Sequence, residues 1–392
     1  METYPPISLD NTEIAFSSKS NGELRQSYYL FRLIGNPTFV SFGKHATNIA
    51  LSLRIPIGWA IKGNIFKQFC GGETIAECAR ATKILDQFHI GTILDYSVEG
   101  KESETDFDHT RDETLQTIRT AKGNPHIPFC VFKITGVARF ALLEKVNAKE
   151  KLTDSEVAEW QRVRQRVDDI CALANQTGTP LFIDAEDSWI QDAIDDLVDE
   201  MMEKYNHETA IVYNTVQLYR HDRLAFLKSS HQKAVRGNYH LGLKLVRGAY
   251  MEKERLRAAE KGYRDPIQPD KSTCDKDFDL ALDYCIEHID RISICAGTHN
   301  EKSSLYLAGL MDKKGIGRSD KRVFFAQLFG MSDHISFNLA NAGFNVAKYV
   351  PYGPIREVVP YLIRRAQENT SVKGQTGREL SLILKEMKRR GM

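Results

Sequence analysis

Residues 180–214 read PLFIDAEDSWIQDAIDDLVDEMMEKYNHETAIVYN. Within them, PLFIDA at 180–185 is a short, continuous apolar run, 188–205 has the spacing of a helix, and ETAIVYN at 208–214 is a second run. Continuous rather than alternating apolar character marks a strand covered on both faces. Strand, helix and strand in succession form the βαβ unit of a parallel sheet. The same rhythm continues on either side. Further runs lie at 91–98, 128–135, 240–247, 291–297, 321–327 and 345–350. With them come helix-like stretches at 73–89, 111–121, 154–176, 221–236, two within 251–289, and 300–313, 332–342 and 355–370. Eight such units in one chain predict an α/β fold of the closed (β/α)8, TIM-like type. An open, doubly wound sheet is the structural alternative. It usually carries G-x-G-x-x-G after its first strand, and no such fingerprint occurs here.

The remaining segments suggest a division at about residue 62. Residues 1–62 read as an N-terminal helical arm, with Leu24–Ile34 helix-like and TNIALSLRIPIGWAI at 47–61 apolar but broken by Pro56 and Gly58. Its apolar surface calls for a cover, and packing within the protein is the default. Residues 63–392 read as the barrel with its last helix. The polar stretch EGKESETDFDHT at 99–110 reads as a solvated connection. The segment 262–276, with two prolines, is either a loop beside the site or an inert one.

Composition narrows the function. The chain has 392 residues, with 42% hydrophobic and 27% charged, which are ordinary globular values. Its 53 basic and 52 acidic residues give a net charge of +1, without the field expected of a nucleic-acid binder. Seven cysteines occur with no C-x-x-C pair, which suits reduced thiols in a cytoplasmic compartment. No run approaches the ~18 apolar residues of a membrane helix. The N-terminus, with Glu2, Asp10, Glu13 and Glu23, lacks the pattern of a secretory or mitochondrial leader. Eleven scattered histidines show no metal-ligand spacing, so no metal is expected. No G-x-S-x-G elbow supports a serine hydrolase.

Barrel chemistry sits at the C-terminal ends of the strands. The runs end there with Lys133, then Asp184 and Glu186, then Asn214 and Gln217. After them come Lys244 and Arg247 with Gly248, Ala249 and Tyr250, then Thr298, His299 and Asn300, then Gln327 and Leu328, and finally Tyr349. Lys133 and Asp184 lie inside apolar sequence, where a charge is costly unless paired. They are either functional or a structural ion pair. On the last helix, Tyr361, Arg364 and Arg365 share a face at i, i+3 and i+4. Adjacent guanidiniums beside a tyrosine suit an anion clamp, although an exposed charged turn is the plainer reading. The KRR at 388–390 reads as a solvated helix end.

Six motifs stand in order along the chain: IDAED at 183–187, KLVRGAY at 244–250, THN at 298–300, QLFGM at 327–331, KYVPYG at 348–353 and YLIRRAQEN at 361–369. Together they resemble the proline dehydrogenase family, over about Phe66 to Val372. The resemblance implies an FAD-dependent (β/α)8 barrel that oxidises L-proline to Δ1-pyrroline-5-carboxylate, the first step of proline catabolism. It implies hydride transfer from the ring carbon beside nitrogen to the flavin. Electrons would pass to a quinone or another acceptor, with transient peripheral contact at the inner face of the cytoplasmic membrane. Carried over by motif, Arg364 and Arg365 would clamp the proline carboxylate. Tyr361, Tyr349, Tyr250 and Leu328 would wall the ring. Lys133, Asp184 and Lys244 would form the polar floor beside the reacting groups. Ala185, Gln217, Lys244, Arg247, Gly248, Ala249, Thr298, His299, Asn300 and Glu368 would hold FAD. The chain is too short to carry an aldehyde dehydrogenase domain as well, so a monofunctional enzyme is expected.

Two departures from the family pattern stand out. Many members read R-L-V-K-G-A-Y where this chain has Lys244 and Arg247 exchanged. Several have an acidic residue, paired with the first clamp arginine, where this chain has Lys67 before Gln68 and Phe69. Two other readings are a 4-hydroxyproline dehydrogenase and, from a different class, a non-catalytic barrel acting as a binding scaffold. Hydroxyproline-using relatives place a small residue where Tyr349 stands, which favours proline, and the presence of every motif side chain argues against the scaffold.

Overall fold

The computed structural model describes residues 7–36, 38, 62–98, 102–371 and 375–392. The apolar stretch at 47–61 lies outside the described residues, as does the side chain of Glu368. Eight parallel strands close into a barrel in chain order. They are β1 (Ile90–Tyr96), β2 (Phe129–Lys133), β3 (Leu181–Asp184), β4 (Val212–Gln217), β5 (Leu241–Val246), β6 (Ile292–Gly297), β7 (Val323–Leu328) and β8 (Val346–Tyr352). The (β/α)8 expectation is met. The chain divides into two compact units, one of residues 100–326 and one of 1–99 with 327–392.

In the unit of residues 100–326, the floor under the strand ends is aromatic. Phe129 stacks on Phe182 at 4.3 Å, and Tyr213 and Phe324 meet Phe129 edge-on at 5.5 and 4.8 Å. These residues lie at or next to the strand starts, so they fill one end of the sheet and leave the other for polar groups. β4 runs later than the apolar run predicts. Asn206 brackets its start, its amide donating to the Val212 and His240 carbonyls and its Oδ1 accepting from the Ile211 and Val212 amides. The ladder therefore extends through Asn214, Thr215 and Gln217, polar residues that are all buried.

The stretch at 99–110 differs more. From Glu104 it is helix, Glu104–Ala121, capped by Ser103, whose side chain accepts from the Asp106 amide. Its charge is not solvated idly. The Arg166 guanidinium, buried on the neighbouring helix Asp154–Thr177, pairs with Glu104 and with Asp108, the latter at 2.8 Å. Composition alone cannot reveal a partner about sixty residues away. A helix at Phe140–Asn147 was also not legible from the sequence.

In the other unit, β1 and β8 pair in parallel with Ile93 opposite Tyr349. The helix Asn21–Ile34 begins with a capping box between Ser20 and Glu23. Its Leu24, Phe31 and Ile34 join Phe66, Phe69, Val358, Leu362, Leu382 and Ile383 in one apolar cluster. The described part of the arm thus packs within its own unit. At the KRR end Lys388 and Arg389 are exposed, as expected, while Arg390 is half-buried. Arg389 and Arg390 donate to the buried Glu386 at 2.9 and 2.7 Å, and Arg390 also reaches the Phe16 and Lys19 carbonyls.

Candidate functional site

In the unit of residues 100–326, the charged side chains at the strand ends are held by each other. Lys244 on β5 donates to Asp184 on β3, with side-chain exposures of only 6% and 15%. The same ammonium lies 5.4 Å from the centre of the Phe182 ring. Lys133 stands opposite Asp184 in the β2–β3 register. Next along the chain, Glu186 is buried and accepts from the Thr135 amide at 3.0 Å and the Thr135 hydroxyl at 2.5 Å. Gln217 donates to the Glu186 carbonyl at 2.7 Å, which ties the ends of β3 and β4 together.

Arg247 lies one residue past β5. It donates to Asp275 at 2.7 Å, Thr298 at 2.8 Å and Ser303 at 2.9 Å. Asp275, on the helix Lys271–Glu287, brings the end of the 262–276 segment to this strand-end cluster. Gln268 also donates its amide to the Tyr219 carbonyl at 2.6 Å. Two of the candidate flavin residues, Arg247 and Thr298, are therefore directly bonded. Asn300 caps the helix Glu301–Lys314, accepting from the Lys302 and Ser303 amides. Gly248 has φ of 132°, and a Cβ there would fall 2.5 Å from the Tyr219 ring. Only glycine lets the backbone run so close to that ring. Tyr250 is half-buried at the start of the helix Met251–Lys261, and Ala185 and Thr298 are buried.

Burial pushes the Glu186 carboxyl up to about 7, against the opposing pull of its Thr135 bonds and of Lys133. An acid whose folded value lies above its unfolded one destabilises the fold as it ionises. Stability should therefore fall as pH rises from about 4.5 to about 7, by on the order of 3 kcal/mol, and level off above. Glu186→Gln keeps an acceptor and a donor for Thr135 and removes the charge. Denaturant unfolding of this variant should show a flatter profile across that window and greater stability at pH 8. An unchanged slope would mean that Glu186 does not titrate there.

In the unit of residues 1–99 with 327–392, the candidates gather on β7, β8 and the helix Ile355–Ser371. Tyr349 and Tyr361 are buried, and Leu328 is partly buried. Arg365 is only 6% exposed, with its guanidinium carbon 5.0 Å from the centre of the Tyr361 ring. Arg364 is half-buried. A solvated charged turn does not describe this pair. Lys67 is exposed, while the neighbouring Gln68 donates to the Gly330 carbonyl at 2.8 Å. Glu73 reaches the start of the helix Ile355–Ser371, its carboxylate accepting from the Ile355 amide at 3.4 Å.

Sequence reasoning missed Thr135, Asp275 and Ser303. None carries a local signal, since each matters only through a partner on another element. Among the described residues, no group of three or more His, Cys, Asp or Glu is placed to hold a metal ion. No described helix is long and apolar enough to cross a membrane.

The proline dehydrogenase family model matches residues 78–378. Proline dehydrogenase 1, mitochondrial, of Dictyostelium discoideum is 34% identical over 433 residues, covering 98% of this chain and 75% of that protein. A hydroxyproline dehydrogenase of Xenopus laevis is 29% identical over 412 residues, covering 96% and 88%. Among solved structures, proline utilization A (PutA) from Bdellovibrio bacteriovorus, inactivated by N-propargylglycine, superposes with a TM-score of 0.71 at 19% identity. That match covers 93% of this chain and 37% of the other, so this chain spans little more than a third of it, and the likeness bears on the fold.

Proposed function

Because the chain belongs to the proline dehydrogenase family, an oxidoreductase family acting on proline, we propose that it oxidises L-proline to Δ1-pyrroline-5-carboxylate with FAD as cofactor. When bound, FAD supplies the two-electron acceptor for the hydride of the ring carbon beside nitrogen. The residues present fit such a group. Arg247 and Thr298 bring a guanidinium and a hydroxyl, and the N-terminus of the helix Glu301–Lys314 favours an anion such as a pyrophosphate. The bare backbone at Gly248 suits close approach. Ala185, Gln217, Lys244, Arg247, Gly248, Ala249, Thr298, His299, Asn300 and Glu368 are the residues we assign to it.

The observation that carries the substrate reading is the buried Arg365 guanidinium beside Tyr361. A buried guanidinium presents a planar fork matched to a carboxylate, and the aromatic face keeps it in place. We assign Arg364 and Arg365 to the proline carboxylate, and Tyr349, Tyr361, Tyr250 and Leu328 to the walls of the ring. Walls of this kind would hold the ring in one orientation, which is where proximity contributes most. Lys133 and the arginine pair supply positive charge that disfavours the ammonium form of the substrate, while the Asp184 charge is balanced by Lys244. The nitrogen lone pair is then free to stabilise the charge left when hydride departs. A quinone or another acceptor would take the electrons. That hand-over, peripheral contact with a membrane and a cytoplasmic location belong to the same proposal, as does the division into an arm at 1–62 and a barrel at 63–392.

Proline should bleach the flavin absorption of the purified protein under anaerobic conditions, and 4-hydroxyproline should do so far less well. Tyr349→Ser should narrow that difference by opening room for the hydroxyl, on the order of tenfold in relative kcat/KM. A protein without bound flavin, or with flavin indifferent to proline, would favour the scaffold reading. Equal loss on both substrates in Tyr349→Ser would show that Tyr349 acts through packing.

A further inference from the structure

We propose that Lys348 is a positioning residue for the substrate wall, holding the loop that carries Leu328 against β8. The inference rests on the reading of Leu328 and Tyr349 as walls of the proline ring.

Lys348 lies on β8 and is 1% exposed. Its ammonium has three hydrogens to place, and a buried ammonium must place them. The acceptors are the Asp333 carboxylate at 2.9 Å, the Met331 carbonyl at 2.5 Å and, more weakly, the Leu328 carbonyl at 3.4 Å. They run from Leu328, the last residue of β7, through Met331 to Asp333, the first residue of the helix Asp333–Asn341. The next residue of β8 holds the same segment by its main chain, the Tyr349 carbonyl accepting from the Phe329 amide at 2.8 Å. Successive side chains of a strand leave on opposite faces. Lys348 therefore serves the loop, while Tyr349 is directed to the other face.

The loop needs this support. Gly330 and Ser332 have φ of 73° and 50°, both in the left-handed region. Such a residue other than glycine persists only where its surroundings impose it. Ser332 has its amide bound by the buried Glu379 at 2.5 Å. Gln68 holds the Gly330 carbonyl, and a Cβ on Gly330 would fall 1.9 Å from the Gln68 carbonyl oxygen. Of these three side chains, Lys348 is the one that bonds to the main chain of Leu328 itself. Removing it takes the ammonium from two carbonyls and a carboxylate together, leaving the Leu328 carbonyl to the Met331 amide at 3.2 Å and Asp333 to Lys19 at 3.6 Å, so the wall residue is held less firmly. A loosened wall weakens binding of the small ring more than it slows the chemistry of the molecules that do bind correctly.

The test is steady-state and anaerobic flavin-reduction kinetics of Lys348→Met, alone and combined with Asp333→Asn, beside Leu328→Ala. The double variant removes both charges, so that no buried carboxylate is left alone. The expected result is retained FAD and cooperative melting, a proline KM raised about tenfold, and kcat within about threefold of the parent. The hydroxyproline-to-proline ratio of kcat/KM should rise in the same sense as in Leu328→Ala. If Leu328→Ala changes KM or that ratio and Lys348→Met changes neither, the inference is overturned while the site reading stands. If Leu328→Ala behaves as the parent, the wall reading falls and the inference with it. Equal loss of kcat on both substrates would assign Lys348 to general structure and likewise overturn the proposal. So would failure of both Lys348 variants to fold with FAD.

Discussion

Lys244→Met is expected to lower unfolding stability by about 3–5 kcal/mol, because it leaves the Asp184 carboxylate charged and nearly buried without its ammonium partner. The loss should be larger than that of deleting an exposed ion pair, for which about 0–1 kcal/mol is usual. The ammonium also lies against the Phe182 ring, so a packing contact goes with the charge. Adding Asp184→Asn should restore much of the loss, since the double variant removes both charges of the pair. Urea unfolding of the single and double variants, each with and without added FAD, measures the coupling directly. If the two single variants and the double variant simply add, the pair contributes nothing specific and both residues act through separate contacts. A flavin-reduction assay on the double variant then separates structure from chemistry. Stability restored without activity would place the Lys244–Asp184 pair in the reaction as well as in the fold.

Arg365→Met should leave the barrel and its FAD content intact and raise the proline KM by roughly ten- to a hundredfold. That range corresponds to losing a charge-assisted contact to a carboxylate of about 1.5–3 kcal/mol. Methionine fills much of the volume beside Tyr361 without carrying charge into a buried position. Arg364→Met should cost less, since Arg364 is only half-buried and its contact is better screened by solvent. Titrating flavin reduction with proline reads both variants. A half-saturation concentration in Arg365→Met equal to that of the parent would remove this residue from the substrate site. A comparable loss with a neutral substrate analogue lacking the carboxylate would show that Arg365 supports the helix instead.

The exchange of Lys and Arg between positions 244 and 247 takes on meaning from these contacts. Lys244 is drawn inside the strands to Asp184, while Arg247 at the rim spreads its fork over Asp275, Thr298 and Ser303. A guanidinium suits three separate acceptors, and a compact ammonium suits one enclosed carboxylate. Which cation stands where is therefore a matter of partners, not of total charge.

The number, order and parallel direction of the strands were determined by the sequence alone, because strand and helix periodicities are local properties of the chain. An apolar run of six residues followed by an amphipathic helix has few ways to bury itself, and eight repetitions leave little besides the closed barrel. The positions of Lys133, Asp184, Lys244 and Arg247 near strand ends were legible for the same reason. Tertiary structure decided what each charge meets. Asp184 and Lys244 are 60 residues apart and sit on alternate strands, which a barrel brings to the same interior layer. The acidic side chains at the start of the helix from Glu104 met Arg166 on another helix, and Lys348, ordinary on a strand, found its acceptors in a loop that the preceding strand delivers. Burial and pairing depend on the three-dimensional neighbourhood, and no short window of sequence contains both members of such pairs.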